Sequence, residues 1–265
     1  MDLGLSGKTA LVTASSKGLG FAAARELVRE GASVMLNSHS QENLDAALAK
    51  LRDEFGAGAT VAAHAADLNE ESAIDGLIET TVSAYGGLDI LITNNGGPPG
   101  GTFETTDLEA WRQGIDRTLM SAVLLVRAAL PHLEKSDAAS ILTVTSVSVK
   151  KPIAGLHLSN VIRPAVIGLT KSLSLELGGK GIRANSILPG WTATERVDYI
   201  LEKRAEGKGT TPAEEAATIN ATVPFGRMGD PAEFGRVAAF MVSPAASYLN
   251  GAMVQVDGGA YPGLM

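Results

Sequence analysis

Short, continuously apolar runs alternate with longer helical patterns along almost the whole chain, and that alternation limits the possible folds more than any single motif. The apolar runs lie at residues 9–13, 32–36, 60–63, 88–93, 140–145, 182–188 and 252–256. Between them, residues 18–30, 42–55, 70–85, 106–133 and 154–177 carry apolar side chains at helical spacing. Thr106 with Glu109 forms a capping-box pattern for the fourth of these helices. Asp230, Pro231 and Glu233 supply the N-cap, first-turn proline and third-position acid of a further helix. Strands that are apolar on both faces are buried on both faces. Strands alternating with helices connect as right-handed βαβ units. The expected architecture is α/β: a doubly wound, parallel, seven-stranded sheet in a single domain spanning residues 1–265.

Composition narrows the function classes. With no cysteine, the chain has no disulfide, no thiolate metal site and no cysteine nucleophile, and no metal is expected. The balance of 22 Lys plus Arg against 29 Asp plus Glu argues against a nucleic-acid partner. No apolar stretch approaches the ~18–20 residues of a membrane span. Met1-Asp2-Leu3-Gly4-Leu5 lacks a basic segment followed by an apolar run. No signal peptide is therefore expected, and the expected location is cytoplasmic. The 30 glycines of so periodic a chain must serve turns and close backbone approaches.

Residues 192–222 differ from the rest in being charged and polar, with Glu195, Arg196, Asp198, Glu202, Lys203, Arg204, Glu206 and Lys208. Thr211-Pro212-Ala213-Glu214 caps a short helix within them. The segment follows the sixth strand, so it lies at the strand carboxyl ends, where open α/β sheets bind ligands. Residues 191–222 are read as lid-like; a solvated surface excursion is the alternative.

Thr13-Ala14-Ser15-Ser16-Lys17-Gly18-Leu19-Gly20 joins the first strand to the first helix. Gly18 and Gly20 let backbone approach a ligand, and the helix start offers free N–H groups and a positive dipole end to a pyrophosphate. This turn resembles that of the short-chain dehydrogenase/reductase family, Thr-Gly-x-x-x-Gly-(Ile/Leu)-Gly. Six further features of that family fall in place. They are Asp67-Leu68, Asn94-Asn95-Gly96-Gly97, Ser146, the segment from Ala165 to Lys171, Pro189-Gly190 followed by Thr194, and Val256-Asp257-Gly258-Gly259. The resemblance is nearest to the 3-oxoacyl-carrier-protein reductase type and implies a Rossmann-like domain. It places Thr13, Ser15, Ser16, Lys17, Gly18, Leu19, Gly20, Asp67, Leu68, Asn95, Gly96, Gly97, Thr145, Pro189, Gly190, Thr192 and Thr194 around a dinucleotide, with Asp67 at the adenine. Two positions depart from the family: Ala14 stands for its first turn glycine, and Gly96 for an alanine. The first is costly only if φ is positive there. The second should leave the nicotinamide side open.

Recognition of NAD uses an acid about 20 residues after the glycine turn. Here the second strand ends in Leu36-Asn37-Ser38-His39-Ser40, without an acid. Lys17, Asn37, Ser38 and His39 would instead welcome a 2′-phosphate, so the expected cofactor is NADP rather than NAD. His39 could equally be an ordinary loop histidine.

The family's chemistry uses a Ser, a Tyr thirteen residues later and a Lys four beyond that. Ser146 fits the first position, but the next two hold Ser159 and Arg163. The relay Asn position falls at Thr118. An aliphatic hydroxyl is a far weaker acid than a phenol, and arginine keeps its proton at any useful pH. Arg163 can still hold ribose hydroxyls or stabilise an oxyanion. His157 and Tyr199 are substitute donors to consider, but they read as a helix-surface histidine and a lid-surface aromatic. Tyr85, Tyr248 and Tyr261 read as packing residues. Trp111 reads as helix packing, and Trp191 as a wall for substrate or nicotinamide.

The expected function is an NADP-dependent oxidoreductase acting on a carbonyl/alcohol pair of a small-molecule substrate, with an atypical Ser146, Ser159 and Arg163 site. The alternatives are non-redox chemistry on the same scaffold, or a catalytically inactive dinucleotide-binding sensor or partner subunit. The resemblance also implies a homo-oligomer, a tetramer or dimer, with no membrane partner.

Overall fold

In a computed structural model, residues 1–56 and 58–264 are described. Seven strands are present: β1 Thr9–Val12, β2 Ser33–Ser38, β3 Val61–Ala65, β4 Ile90–Thr93, β5 Ser140–Val144, β6 Arg183–Pro189 and β7 Met253–Val256. They form one parallel sheet in the order β3-β2-β1-β4-β5-β6-β7. Strands β1, β4 and β5 are buried throughout, as continuous apolar runs require, whereas the edge strands β3 and β7 are partly open.

Among the described residues there are nine α-helices: α1 Gly18–Arg29, α2 Gln41–Phe55, α3 Glu71–Tyr85, α4 Leu108–Ile115, α5 Ser121–Leu133, α6 His157–Leu177, α7 Glu195–Lys208, α8 Pro212–Asn220 and α9 Pro231–Val242. Leu27 and Val28 of α1, Leu44 and Leu51 of α2, and Phe234 of α9 cover one sheet face. Ile74 and Leu77 of α3, Leu125 of α5 and Leu177 of α6 cover the other. The chain reverses direction across the sheet between β1 and β4, and the space beyond their carboxyl ends is the natural ligand crevice.

Three local expectations change. The helix expected over 106–133 is interrupted by a π-turn at Asp116–Met120. Its N-cap is Asp107, which accepts from the Ala110 N–H at 2.7 Å, because the Thr106 hydroxyl instead donates to the Thr102 carbonyl at 2.6 Å. The helix expected from residue 154 starts at His157, since Gly155 takes φ +77° and breaks the helical path. The capping boxes at Thr211 and Asp230 form as expected.

Candidate active site

The crevice is a cavity of about 760 Å³ at the carboxyl end of the sheet. The β1–α1 turn, the ends of β2, β4, β5 and β6, the start of α6 and the first turns of α7 line it. That volume suits a cofactor with a small substrate.

Most residues expected to hold a dinucleotide line this cavity. They are Ser16, Lys17, Gly18, Leu19, Asn37, Ser38, His39, Asp67, Leu68, Asn95, Gly96, Gly97, Thr145, Pro189, Gly190, Thr192 and Thr194. Thr13, Ser15 and Gly20 do not, and the expectation of direct contact is corrected for them. Thr13 is fully buried; its hydroxyl donates to the Asn94 carbonyl at 2.7 Å and accepts from the Asn94 N–H at 2.8 Å. The buried Ser15 hydroxyl donates to the Val12 carbonyl at 2.6 Å and accepts from the Asn37 N–H at 3.0 Å. Both brace the turn from behind. Gly20 lies where a Cβ would collide with the Ala14 carbonyl and come within 2.8 Å of Asn94 Nδ2, so it permits helix and sheet to approach. The Asn37 amide reaches the cavity wall, yet it donates to the His64 and Ala66 carbonyls and accepts from the Ala14 N–H. Its amide therefore shapes the turn.

Ala14 has φ +44°, and no other described non-glycine residue has positive φ. The cost foreseen for a Cβ there is incurred. Ala14→Gly is expected to raise stability by about 1 kcal/mol, a melting-temperature rise of about 2 °C by calorimetry. An unchanged melting temperature would show that the turn relaxes in solution. Gly96 has open space where a Cβ would stand, whereas a Cβ at Gly97 would come within 3.0 Å of Arg163 Nη2.

Ser146, Ser159 and Arg163 line the same cavity. Ser146 follows β5 in extended conformation, and its Oγ accepts from the Ser148 N–H at 3.0 Å. Ser159 and Arg163 are four apart on α6 and so share a face. Arg163 Nε donates to Ser159 Oγ at 3.0 Å, and its Nη1 donates to the Val144 and Thr145 carbonyls at 3.1 and 2.9 Å. Burial, and secondarily the charge of Arg196, pull Arg163 down to about 10. Ser148, which the motif comparison overlooked, is buried and brings its Oγ to 3.4 Å from Ser159 Oγ. The Ser-x-Ser spacing after β5 was the available signal for it.

The other candidates fall away. Tyr199 is half-exposed, packs beside Arg196 and Lys203, and does not line the cavity. His157 is only partly exposed: its Nε2 is buried without a partner among the described residues, and its ring lies edge-on to Phe103 and Trp111. Tyr85 packs as expected, with its hydroxyl donating to the Val34 carbonyl at 3.0 Å and burial pushing its pKa up to about 12. Tyr248 is fully exposed and packs nothing, a correction set by its place in a surface turn. Thr118 Oγ1, at the relay position, is buried in the π-turn without a partner among the described residues. Trp191 lines the cavity, as do Arg117 and Arg196, which sequence reasoning missed. Helices α7 and α8 form a small core of their own through Val197, Leu201 and Ile219, and Trp191 packs against it. No His/Asp/Glu group that could hold a metal occurs among the described residues.

This seven-stranded sheet, with a glycine turn at its centre and a Ser site after β5, defines the class. A family model described as enoyl-(acyl carrier protein) reductase matches residues 13–261, and the chain belongs to the short-chain dehydrogenase/reductase family. The chain is 35% identical over 257 residues to dehydrogenase/reductase SDR family member 4 of Bos taurus, covering 97% of this chain and 88% of that protein. L-sorbose reductase of Gluconobacter frateurii, solved with NADPH and L-sorbose, superposes with a TM-score of 0.93 at 29% identity over 100% of both chains. An NADPH-bound short chain oxidoreductase of Pseudomonas aeruginosa PAO1, described as containing an atypical catalytic center, gives a TM-score of 0.88 at 30% identity over 97% of both chains. No described helix is long and apolar enough to cross a membrane.

Proposed function

We propose that the chain is an NADP-dependent oxidoreductase acting on a carbonyl/alcohol pair, with Ser146, Ser159 and Arg163 polarising the carbonyl oxygen. The observation that carries this reading is the Arg163 Nε–H donated to Ser159 Oγ at 3.0 Å. A lone pair of that hydroxyl is then engaged by a cation, which makes its own O–H a stronger donor toward the cavity. Ser146 is arranged alike, because its Oγ accepts from the Ser148 N–H and leaves its O–H free. Two hydroxyl donors, Ser159 backed by a guanidinium and Ser146 by a backbone N–H, suit an oxygen that gains negative charge during reduction. Bound NADPH supplies the hydride. No tyrosine lines the cavity among the described residues. The proton therefore reaches the alkoxide from solvent, after Arg163 and the two hydroxyls have stabilised it.

The residues present fit NADP. The end of β2 carries no acid, and Lys17, Ser38, His39 and Asn43 stand on that side of the cavity. The Lys17 ammonium lies 3.2 Å from Glu195, but both are exposed, so a phosphate can take over that weak pairing. Backbone N–H groups at Gly18 and Leu19 open α1 toward the pyrophosphate. As the family resemblance implies, the chain is read as a homo-oligomer; the exposed Leu108, Val161 and Leu175 on α4 and α6 suit such an interface.

Fluorescence titration with NADPH and NADH tests the reading. NADPH is expected to bind roughly 10–100-fold more tightly, and His39→Asp to remove that preference. Equal affinity for the two would sink the NADP assignment. Tight NADPH binding with no absorbance change across a panel of ketones and 3-oxoacyl thioesters would favour a sensor or partner subunit instead.

A further inference from the structure

Three arginines line the cavity: Arg117 in the π-turn, Arg163 on α6 and Arg196 on α7. No carboxylate lies within 4.0 Å of any of them among the described residues. The chain does not lack acids, for it has 29 against 22 bases and pairs Arg25, Arg29, Arg112 and Arg227 with them. Arg183 meets its burial differently, by donating to four backbone carbonyls. Arg163 uses Nε and Nη1, and its Nη2, the atom beside Gly97, has no acceptor among the described residues. Arg196 donates from Nη2 to the Pro98 carbonyl at 2.8 Å and lies beside the Tyr199 ring, and its charge adds to the burial that lowers Arg163.

Two guanidiniums that repel one another in a partly buried cavity are a cost unless an anion completes the set. The carboxylates that line the cavity do not supply it. Neither Glu195, whose carboxylate lies 3.2 Å from Lys17, nor Asp67, which accepts from the Asn69 N–H and side-chain amide, comes within 4.0 Å of these arginines. Trp191 stands on the same wall, with the Arg204 guanidinium 5.0 Å above its ring.

We infer that the substrate carries a carboxylate or phosphate close to its carbonyl, bound by Arg196 together with the free Nη2 of Arg163. This inference rests on the oxidoreductase reading above. It makes Arg196 a specificity-determining residue. It also makes the β4 loop part of the anion site, since Pro98 fixes the guanidinium of Arg196 and Gly97 leaves room for that of Arg163.

The test uses the full chain with saturating NADPH. Rates are compared for 2-oxo and 3-oxo acids and for their methyl esters. The acids are expected to exceed the esters in kcat/KM by roughly 10–100-fold, and Arg196→Met to collapse that ratio to near one. In parallel, oxalate and inorganic phosphate are titrated by thermal shift with saturating NADP⁺ present. Oxalate or phosphate is expected to raise the melting temperature of the native chain but not of Arg196→Met. Ester turnover equal to acid turnover, with no anion-dependent thermal shift, overturns the inference while leaving the oxidoreductase reading intact. No turnover of any carbonyl, with the anion shift retained, overturns that reading but keeps the anion site. If Arg196→Met weakens NADPH binding tenfold or more and leaves the acid-to-ester ratio unchanged, the arginine serves the dinucleotide phosphates and the inference fails.

Discussion

Replacing Arg163 with methionine is expected to lower kcat/KM for NADPH-dependent carbonyl reduction by about 10²–10³-fold, followed as the loss of NADPH absorbance. The guanidinium is the cationic donor behind Ser159, and methionine keeps much of its volume but none of its charge. Arg163→Lys is expected to recover less than tenfold, because a point charge cannot reach Ser159 Oγ and two carbonyls at once. The pH dependence follows from the same group. Arginine is charged below its pKa, and Arg163 is pulled down to about 10. The native rate is therefore expected to hold to about pH 9 and fall as pH passes about 10.

Stability should run the other way. A cation whose pKa falls on folding opposes folding while it is charged, and that penalty eases only as pH rises above about 10 toward the ordinary arginine range. Arg163→Met is therefore expected to stay within about 1 kcal/mol of the native chain, the lost carbonyl bonds offsetting the removed charge. A native-like rate in this variant would remove Arg163 from the mechanism.

Ser159→Ala is expected to cost about 10²–10³-fold in the same assay, and Ser146→Ala a similar factor, with NADPH affinity within threefold of the native value. The informative variant is the double one, Ser159→Ala with Arg163→Met. If the cation acts through the hydroxyl, the double variant should be little slower than the worse single one. Multiplicative losses would mean that Arg163 meets the substrate oxygen directly and Ser159 works alone. Circular dichroism and calorimetry separate these outcomes from misfolding, since Ser159 is 8% exposed and its alanine variant leaves Arg163 Nε without its acceptor.

The sheet was legible because seven short apolar runs cannot be satisfied unless both faces of each central strand are covered. The turn was legible in outline, because Gly18 and Gly20 fall at the start of a helix. What each turn residue does was not legible. Thr13 and Ser15 carry the hydroxyls that look suited to a ligand, yet both lie at 0% exposure with those hydroxyls on backbone groups. A motif gives spacing along the chain, and spacing does not tell which side of a turn is wet. The boundaries at Asp107 and His157 escaped for a related reason. At Asp107 neighbouring hydroxyls and carboxylates compete for the helix start, and at His157 the left-handed turn at Gly155 sets it, so the tertiary path decides both.

By itself, the sequence determined the α/β alternation, the place of the nucleotide turn, and the presence of Ser159 and Arg163 where a phenol and an ammonium are usual in this family. Those facts are local: they follow from residue type and from spacings of two, four or thirteen. Only the tertiary structure decided that Ser159 and Arg163 touch, that Ser148 stands behind them, and that Arg117 and Arg196 line the same cavity. Arg196 comes from α7 and Pro98 from the loop after β4, ninety-eight residues away. Their meeting depends on the crossover that brings the carboxyl ends of β4 and β6 to one side of the sheet. No periodicity along the chain encodes a charge balance in space, so the unpaired arginines become visible only once their neighbours are known.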